Sequence, residues 1–112
     1  MTVGRPIDLE RVIGEVAARH NILLKPDDAA AQNNLGLIFA QKGDLNRAIF
    51  EYRWAIRLQP KNAKAQHNLG RALEARGDLK AALQQYAVAC QMDSNNPDYR
   101  ADYSRLSVTL GR

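Results

Sequence analysis

The sequence predicts an all-α chain folded as a short solenoid of about six helices in antiparallel pairs, and three observations carry that prediction. The stretch Ala29 to Asn62 is followed without a gap by a second copy of itself, Ala63 to Asn96. Leu35-Gly36, Gly43-Asp44-Leu45, Ala48, Tyr52 and Ala55 recur 34 residues later as Leu69-Gly70, Gly77-Asp78-Leu79, Ala82, Tyr86 and Ala89. Within each copy, apolar residues fall at helical spacing on either side of one Gly-Asp break, which reads as two helices joined by a turn so short that they must lie antiparallel and pack face to face. A helical hairpin that still shows apolar residues on its outer side must stack on a neighbour. One further amphipathic segment on each side of the two copies supplies the closing elements.

The first element covers residues 7–25. Ile7, Leu9, Val12, Ile13, Val16 and Ala17 lie opposite Arg11, Glu15 and Arg19, predicting a helix from Ile7 to about His20 and then a connection that ends on Pro26. Asp27-Asp28 offers capping oxygens to the next helix. In the first copy, residues 29–62, Ala31, Leu35, Ile38 and Phe39 form one stripe from Ala29 to Lys42, and Gly43-Asp44 is a stop followed by an N-cap. Leu45, Ala48, Ile49, Tyr52, Ala55 and Ile56 form the stripe of the second helix, Leu45 to about Leu58. Gly36 and Ala48 are small where helix backbones approach, and Tyr52 is large where the gap between repeats needs filling. Pro60 stops that helix and Asn62 caps the next.

The second copy, residues 63–96, repeats the plan with helices Ala63 to Arg76 and Leu79 to about Met92. Ser94 stands where the first copy has Pro60, predicting a less rigid exit. Asn96-Pro97 then combines an N-cap with proline at the first helical position, a specific start signal. Tyr99, Tyr103, Leu106 and Leu110 share one face of a last helix over residues 97–110 that stops at Gly111. The 112 residues suffice for one domain with a core of its own.

Composition bounds the function. The chain is 46% hydrophobic and 25% charged, as a folded chain is, and its 16 basic against 12 acidic residues give a net charge of +4 spread along the sequence without a basic run. Nucleic-acid binding is not expected, because Phe and Tyr fall mostly on core stripes and the cations form no continuous track. Cys90 is the only cysteine, so no intramolecular disulfide forms. No apolar leader and no run of about 18 apolar residues is present, and a cytoplasmic location is expected. Catalysis has no candidate constellation: His20 and His67 are far apart in sequence and Cys90 falls on a buried stripe. The sequence has no phosphate loop, metal-spaced cluster or nucleophile motif, so neither enzyme activity nor a cofactor or metal is expected.

The repeats resemble the tetratricopeptide repeat (TPR), a 34-residue helix-turn-helix family. With Ala29 and Ala63 as first positions, the signature positions hold Leu35, Gly36, Phe39, Ala48, Tyr52, Ala55 and Pro60, then Leu69, Gly70, Leu73, Ala82, Tyr86 and Ala89. The resemblance covers 68 of the 112 residues, or reaches the end if the last helix begins a third repeat. Departures are Gln32 and Gln66 at a position often held by Trp, Ser94 for proline, and Ser104 for glycine. The first element fits loosely, with Gly14 and Ala18 at the second-helix landmarks. The resemblance implies two full repeats between capping helices in a right-handed superhelix, whose concave face grips an extended or helical peptide. It also implies groove positions, filled here by Ala30, Asn33, Asn34, Leu37, Ala40 and Gln41 in the first copy, Lys64, His67, Asn68, Arg71, Glu74 and Ala75 in the second, and Asp98, Ala101, Asp102, Arg105, Val108 and Thr109 in the last helix.

These positions give the candidate peptide site: Asn33, Asn34, Leu37, Lys64, His67, Asn68, Arg71 and Arg105. Asn34 and Asn68 occupy the same position in successive copies and either hydrogen-bond a peptide backbone at two points or bond a neighbouring helix or water. Lys64, His67 and Arg71 share one helical face, extended by Arg105. They either receive an acidic group of a protein or peptide partner or form a solvated face balanced by Glu74, Asp98 and Asp102. The chaperone-binding carboxylate clamp of the family is not matched, since Asn33, Leu37 and Asp98 stand where Lys, Asn and Lys are needed and only Asn68 fits. Phe50 and Trp54, four residues apart among Arg47, Arg53 and Arg57, are expected to lie under the first helix or the adjacent repeat. If open, they offer a self-association surface, so the alternative to a peptide-binding adaptor is a structural or assembly module that forms homo-oligomers through its ends or through this aromatic patch.

Overall fold

The computed structural model describes residues 28–111 and contains, among them, five α-helices and no strand: α1 (Ala29–Gln41), α2 (Leu45–Leu58), α3 (Ala63–Arg76), α4 (Leu79–Met92) and α5 (Pro97–Thr109). The expected helix within residues 7–25 lies outside the described residues. Each helix packs on the next in sequence, and α1 also touches α3, so the chain is a solenoid of helix pairs.

The helix starts follow from capping. Asp28, Asp44 and Asn62 accept hydrogen bonds from Ala31 N, Arg47 N and Ala65 N at 3.1, 3.2 and 3.0 Å, and Asn96 accepts from Asp98 N and Tyr99 N ahead of Pro97. Such caps satisfy amides that have no partner within the helix. Asp78 departs from the pattern: its side chain makes no cap bond and receives Arg76 Nε at 2.7 Å instead. The hairpin turns need positive φ at Gly43 (83°) and Gly77 (98°), where Asp44 N reaches Phe39 O and Asp78 N reaches Leu73 O, a closure that favours glycine. This turn ends α1 at Gln41, one residue before the predicted Lys42.

The exit from the second copy takes the same path without proline. Gln59 and Asp93 adopt nearly the same backbone angles, −144°/86° and −140°/78°, and their amides bond Ala55 O and Ala89 O. The path is set by the helix end and the following asparagine cap.

The core repeats with the sequence. Tyr52 and Tyr86 are 2% and 0% exposed, and each ring lies across the glycine of its own repeat. A Cβ built on Gly70 would meet Tyr86 carbons at 2.6 and 2.7 Å, and one on Gly36 would collide with Tyr52 in the same way. The glycines are therefore required by close packing, not by backbone angle. Ala48, Ala55, Ala65, Ala82 and Ala89 are fully buried where backbones approach, and Phe39, Ile49, Leu69, Leu73, Leu83 and Leu106 complete the interior. Leu106 holds α5 on α4, while Ser104 and Val108 are exposed.

Candidate functional site

The first helix of each pair forms one face of the solenoid, and α1, α2 and α3 enclose an open pocket of about 350 Å³ there. Its lining is apolar on Leu37, Ala40, Leu45, Ala72 and Ala75, and its polar groups come from Gln41, Tyr52, Asn68 and Arg71.

The structure separates the eight candidate residues. Leu37, Asn68 and Arg71 line the pocket. Asn34 and Lys64 are exposed. Asn33, 4% exposed, accepts a hydrogen bond at 2.9 Å from Asn68 Nδ2, so these two amides tie α1 to α3. Of the two readings of Asn68, the bond to a neighbouring helix is therefore the one observed. His67 is 7% exposed, with its Nε2 2.6 Å from Asp102 Oδ2 and its ring tilted against Tyr99 and Tyr86 at 4.6 and 5.5 Å between centroids. An ionised carboxylate only accepts, so the proton in this bond lies on Nε2.

Arg105 is exposed, but its guanidinium grips Glu74 in a two-pronged bond of 2.6 and 2.8 Å and approaches Asp102 at 3.5 Å. Tyr86 donates its hydroxyl to the same Glu74 carboxylate at 2.7 Å. Hydrogen bonding from Arg105, supported by Tyr86, holds the Glu74 carboxyl below the usual carboxylate range. Burial, then the bond to Glu74, pushes the Tyr86 phenol up. His67 and Arg105 are thus occupied by Asp102 and Glu74, two of the acids expected to balance this face. Among the described residues, Arg71 has no hydrogen bond or ion pair, and its charge is felt by Tyr52, whose phenol burial pushes up to about 12.

Sequence reasoning placed Tyr52 in the core alone, yet its edge also lines the pocket. The available signal was its chemistry, since a tyrosine ring fills a gap while its hydroxyl seeks a polar rim. The expectation that Phe50 and Trp54 are both covered fails for Phe50, which is 61% exposed with its ring 6.4 Å from that of the half-buried Trp54. Cys90 is half-buried and burial raises its thiol pKa. Among the described residues there is no metal-binding cluster, and no helix is long and apolar enough to cross a membrane.

Sequence models of the tetratricopeptide repeat match residues 10–53 and 63–96, and one described as TPR repeat matches 36–77, so that together they run from residue 10 to residue 96. The chain belongs to the tetratricopeptide repeat family. Among solved structures, the first TPR of Spaghetti (RPAP3) bound to the HSP90 peptide SRMEEVD is similar in fold, with a TM-score of 0.79 over 84% of this chain and 75% of that one. Sequence identity to it is 18%, so the likeness is one of fold. No curated protein matches the chain in sequence.

Proposed function

We propose that this domain is an adaptor that binds a segment of a partner protein along the face formed by α1 and α3. The observation that carries the reading is the open, mostly apolar pocket with the unpaired Arg71 guanidinium at its lining. An apolar cavity with a few polar groups buries a side chain and fixes its orientation, and a free guanidinium favours a partner with acidic groups. Two further facts support it. The TPR of Spaghetti holds a peptide rich in acidic residues, and the exposed Lys64 adds positive charge to the same helix. The clamp residues of chaperone-binding relatives are not reproduced, so the groove is suited to a different acidic segment.

Because Asn68 ties α3 to α1, Arg71→Glu is a cleaner probe of the groove than Asn68→Ala. Fluorescence anisotropy against a library of acidic and neutral peptides is expected to select acidic members. Arg71→Glu should lower their affinity at least about tenfold, as loss of a charged hydrogen bond implies, with an unchanged helical circular dichroism spectrum. Equal affinity of the variant for the selected peptides would remove the groove assignment.

A second reading, self-association, is favoured by one observation: exposed Phe50 sits with Trp54, Arg53 and Arg57 around a surface hollow of about 270 Å³ on α2. Light scattering over a concentration series tests it, and a strict monomer at high concentration would eliminate it.

A further inference from the structure

The second inter-repeat junction shows how this fold holds a carboxylate, and the first junction has the same donors without the acid. At the second junction the Glu74 carboxylate receives the fork of Arg105, at 2.6 and 2.8 Å, and the hydroxyl of Tyr86 at 2.7 Å. Moving back 34 residues, Arg105 becomes Arg71 and Tyr86 becomes Tyr52, but Glu74 becomes Ala40. The neighbouring tie is preserved in place: His67 with Asp102 corresponds to Asn33 with Asn68, so the two junctions superpose in register. Among the described residues, neither Arg71 nor the Tyr52 hydroxyl has a hydrogen bond. Ala40, Tyr52 and Arg71 all line the 350 Å³ pocket.

We infer that the pocket is a carboxylate receptor, in which the side chain of a partner glutamate takes the place that the chain's own Glu74 occupies one repeat later, accepting from Arg71 and from the Tyr52 hydroxyl. The inference rests on the groove reading above and names the group that the groove selects. Glutamate follows from size: Ala40 lacks the second methylene and the carboxylate that a glutamate has at the equivalent position, and Leu37 and Ala72 provide apolar walls for its methylene stem. Arg71 and Tyr52 line one pocket, and their equivalents one repeat later, Arg105 and Tyr86, meet on a single carboxylate. Two donors converging on one site recognise a carboxylate better than a single cation does, because the fork fixes orientation as well as charge.

The test uses the whole chain and two probes. Propionate, the glutamate side chain without its backbone, is titrated while the Arg71 Nε–H and the amides of α1 and α3 are followed by NMR, with sodium chloride at matched ionic strength as control. Saturable shifts centred on Arg71 and Ala40 with propionate alone are expected, and their absence overturns the inference. Ala40→Glu supplies the missing acid internally. It should abolish the propionate response and raise the melting temperature, whereas a retained response overturns the inference. Should that variant fail to fold, Arg71→Leu serves, and a propionate response that survives it is equally fatal.

Peptides selected by the groove separate this inference from the reading it rests on. Glu→Gln in the peptide should cost at least about tenfold in affinity, with C-terminal amidation having no effect. Sensitivity to amidation alone, or to neither change, sinks the glutamate assignment and leaves the groove standing. Propionate binding without any peptide binding does the reverse.

Discussion

The two junctions on the groove face, α1 with α3 and α3 with α5, are built from equivalent positions and differ in what fills them. At the second, charged groups are satisfied within the chain: Glu74 with Arg105 and Tyr86, and His67 with Asp102. At the first, the tie is a neutral pair, Asn33 with Asn68, and a pocket opens where Ala40 replaces the acid. One repeat architecture thus serves two ends. Self-satisfied polar groups fasten α5, whereas at the first junction the Arg71 guanidinium and the Tyr52 hydroxyl carry no hydrogen bond among the described residues.

The largest expected effect tests whether the two tyrosines are equivalent in the core and unequal at their hydroxyls. Tyr86→Ala and Tyr52→Ala should each cost about 3–5 kcal/mol in urea unfolding, since each empties a buried aromatic site. The phenylalanine variants separate the pair. Tyr86→Phe removes a bond to a charged partner and should cost about 1.5–3 kcal/mol, while Tyr52→Phe should stay within about 0.5 kcal/mol. Equal costs for the two would mean that the junctions do not differ as described.

A smaller effect lies in acid. The Glu74 carboxyl is held low by Arg105, so its contribution is present above the ordinary carboxylate pKa and is lost as the pH falls through the depressed folded value. Because the pair is solvent-accessible, the contribution is about 1 kcal/mol or less. Glu74→Gln should flatten that part of the stability curve measured by thermal melts at stepped pH. A curve unchanged by the substitution would show that the second junction owes little to its charges.

The smallest effect concerns another asymmetry, Glu51 against Gln85 at equivalent positions of α2 and α4. Glu51 is 7% exposed and burial raises its pKa, so its charged form disfavours the folded state at neutral pH. A raised folded value means that stability is gained as the pH falls through it. Glu51→Gln should therefore raise stability at pH 7 by up to about 1 kcal/mol, with the gain shrinking below the ordinary carboxylate pKa. Calorimetry at two pH values checks both parts, and a destabilised variant would contradict the burial argument.

Most of the fold was legible because its determinants are local. The boundaries of α2, α3 and α4 coincide with the predicted ones, since Gly-Asp turns and asparagine caps act within a few residues. Gly36 and Gly70 were legible as points of close approach through the repeat, although the group that approaches them, the tyrosine ring, needed the structure. The site was legible as a set of positions and not as a set of roles. Sequence leaves His67 and Arg105 either available to a ligand or balanced by acids, because Asp102 and Glu74 lie 35 and 31 residues away and only the fold pairs them. Analogy with Asp44 predicts a cap at Asp78, but the nearby Arg76 captures its carboxylate. The sequence predicts cover for Phe50, but its 61% exposure depends on the azimuth of α2, which a stripe of neighbouring apolar residues does not fix.

The sequence by itself determined the helix pairs, their period and the small and large residues that let one pair stack on the next, because these depend on spacing along one chain segment and on side-chain volume. Tertiary structure alone decided which polar groups on the groove face meet one another. Hydrogen bonds act over about 3 Å, so whether Arg71 and Arg105, identical residues at equivalent positions, are free or engaged depends on what the next helix brings within that distance. At Arg105 it is Glu74, and at Arg71 the equivalent residue is Ala40.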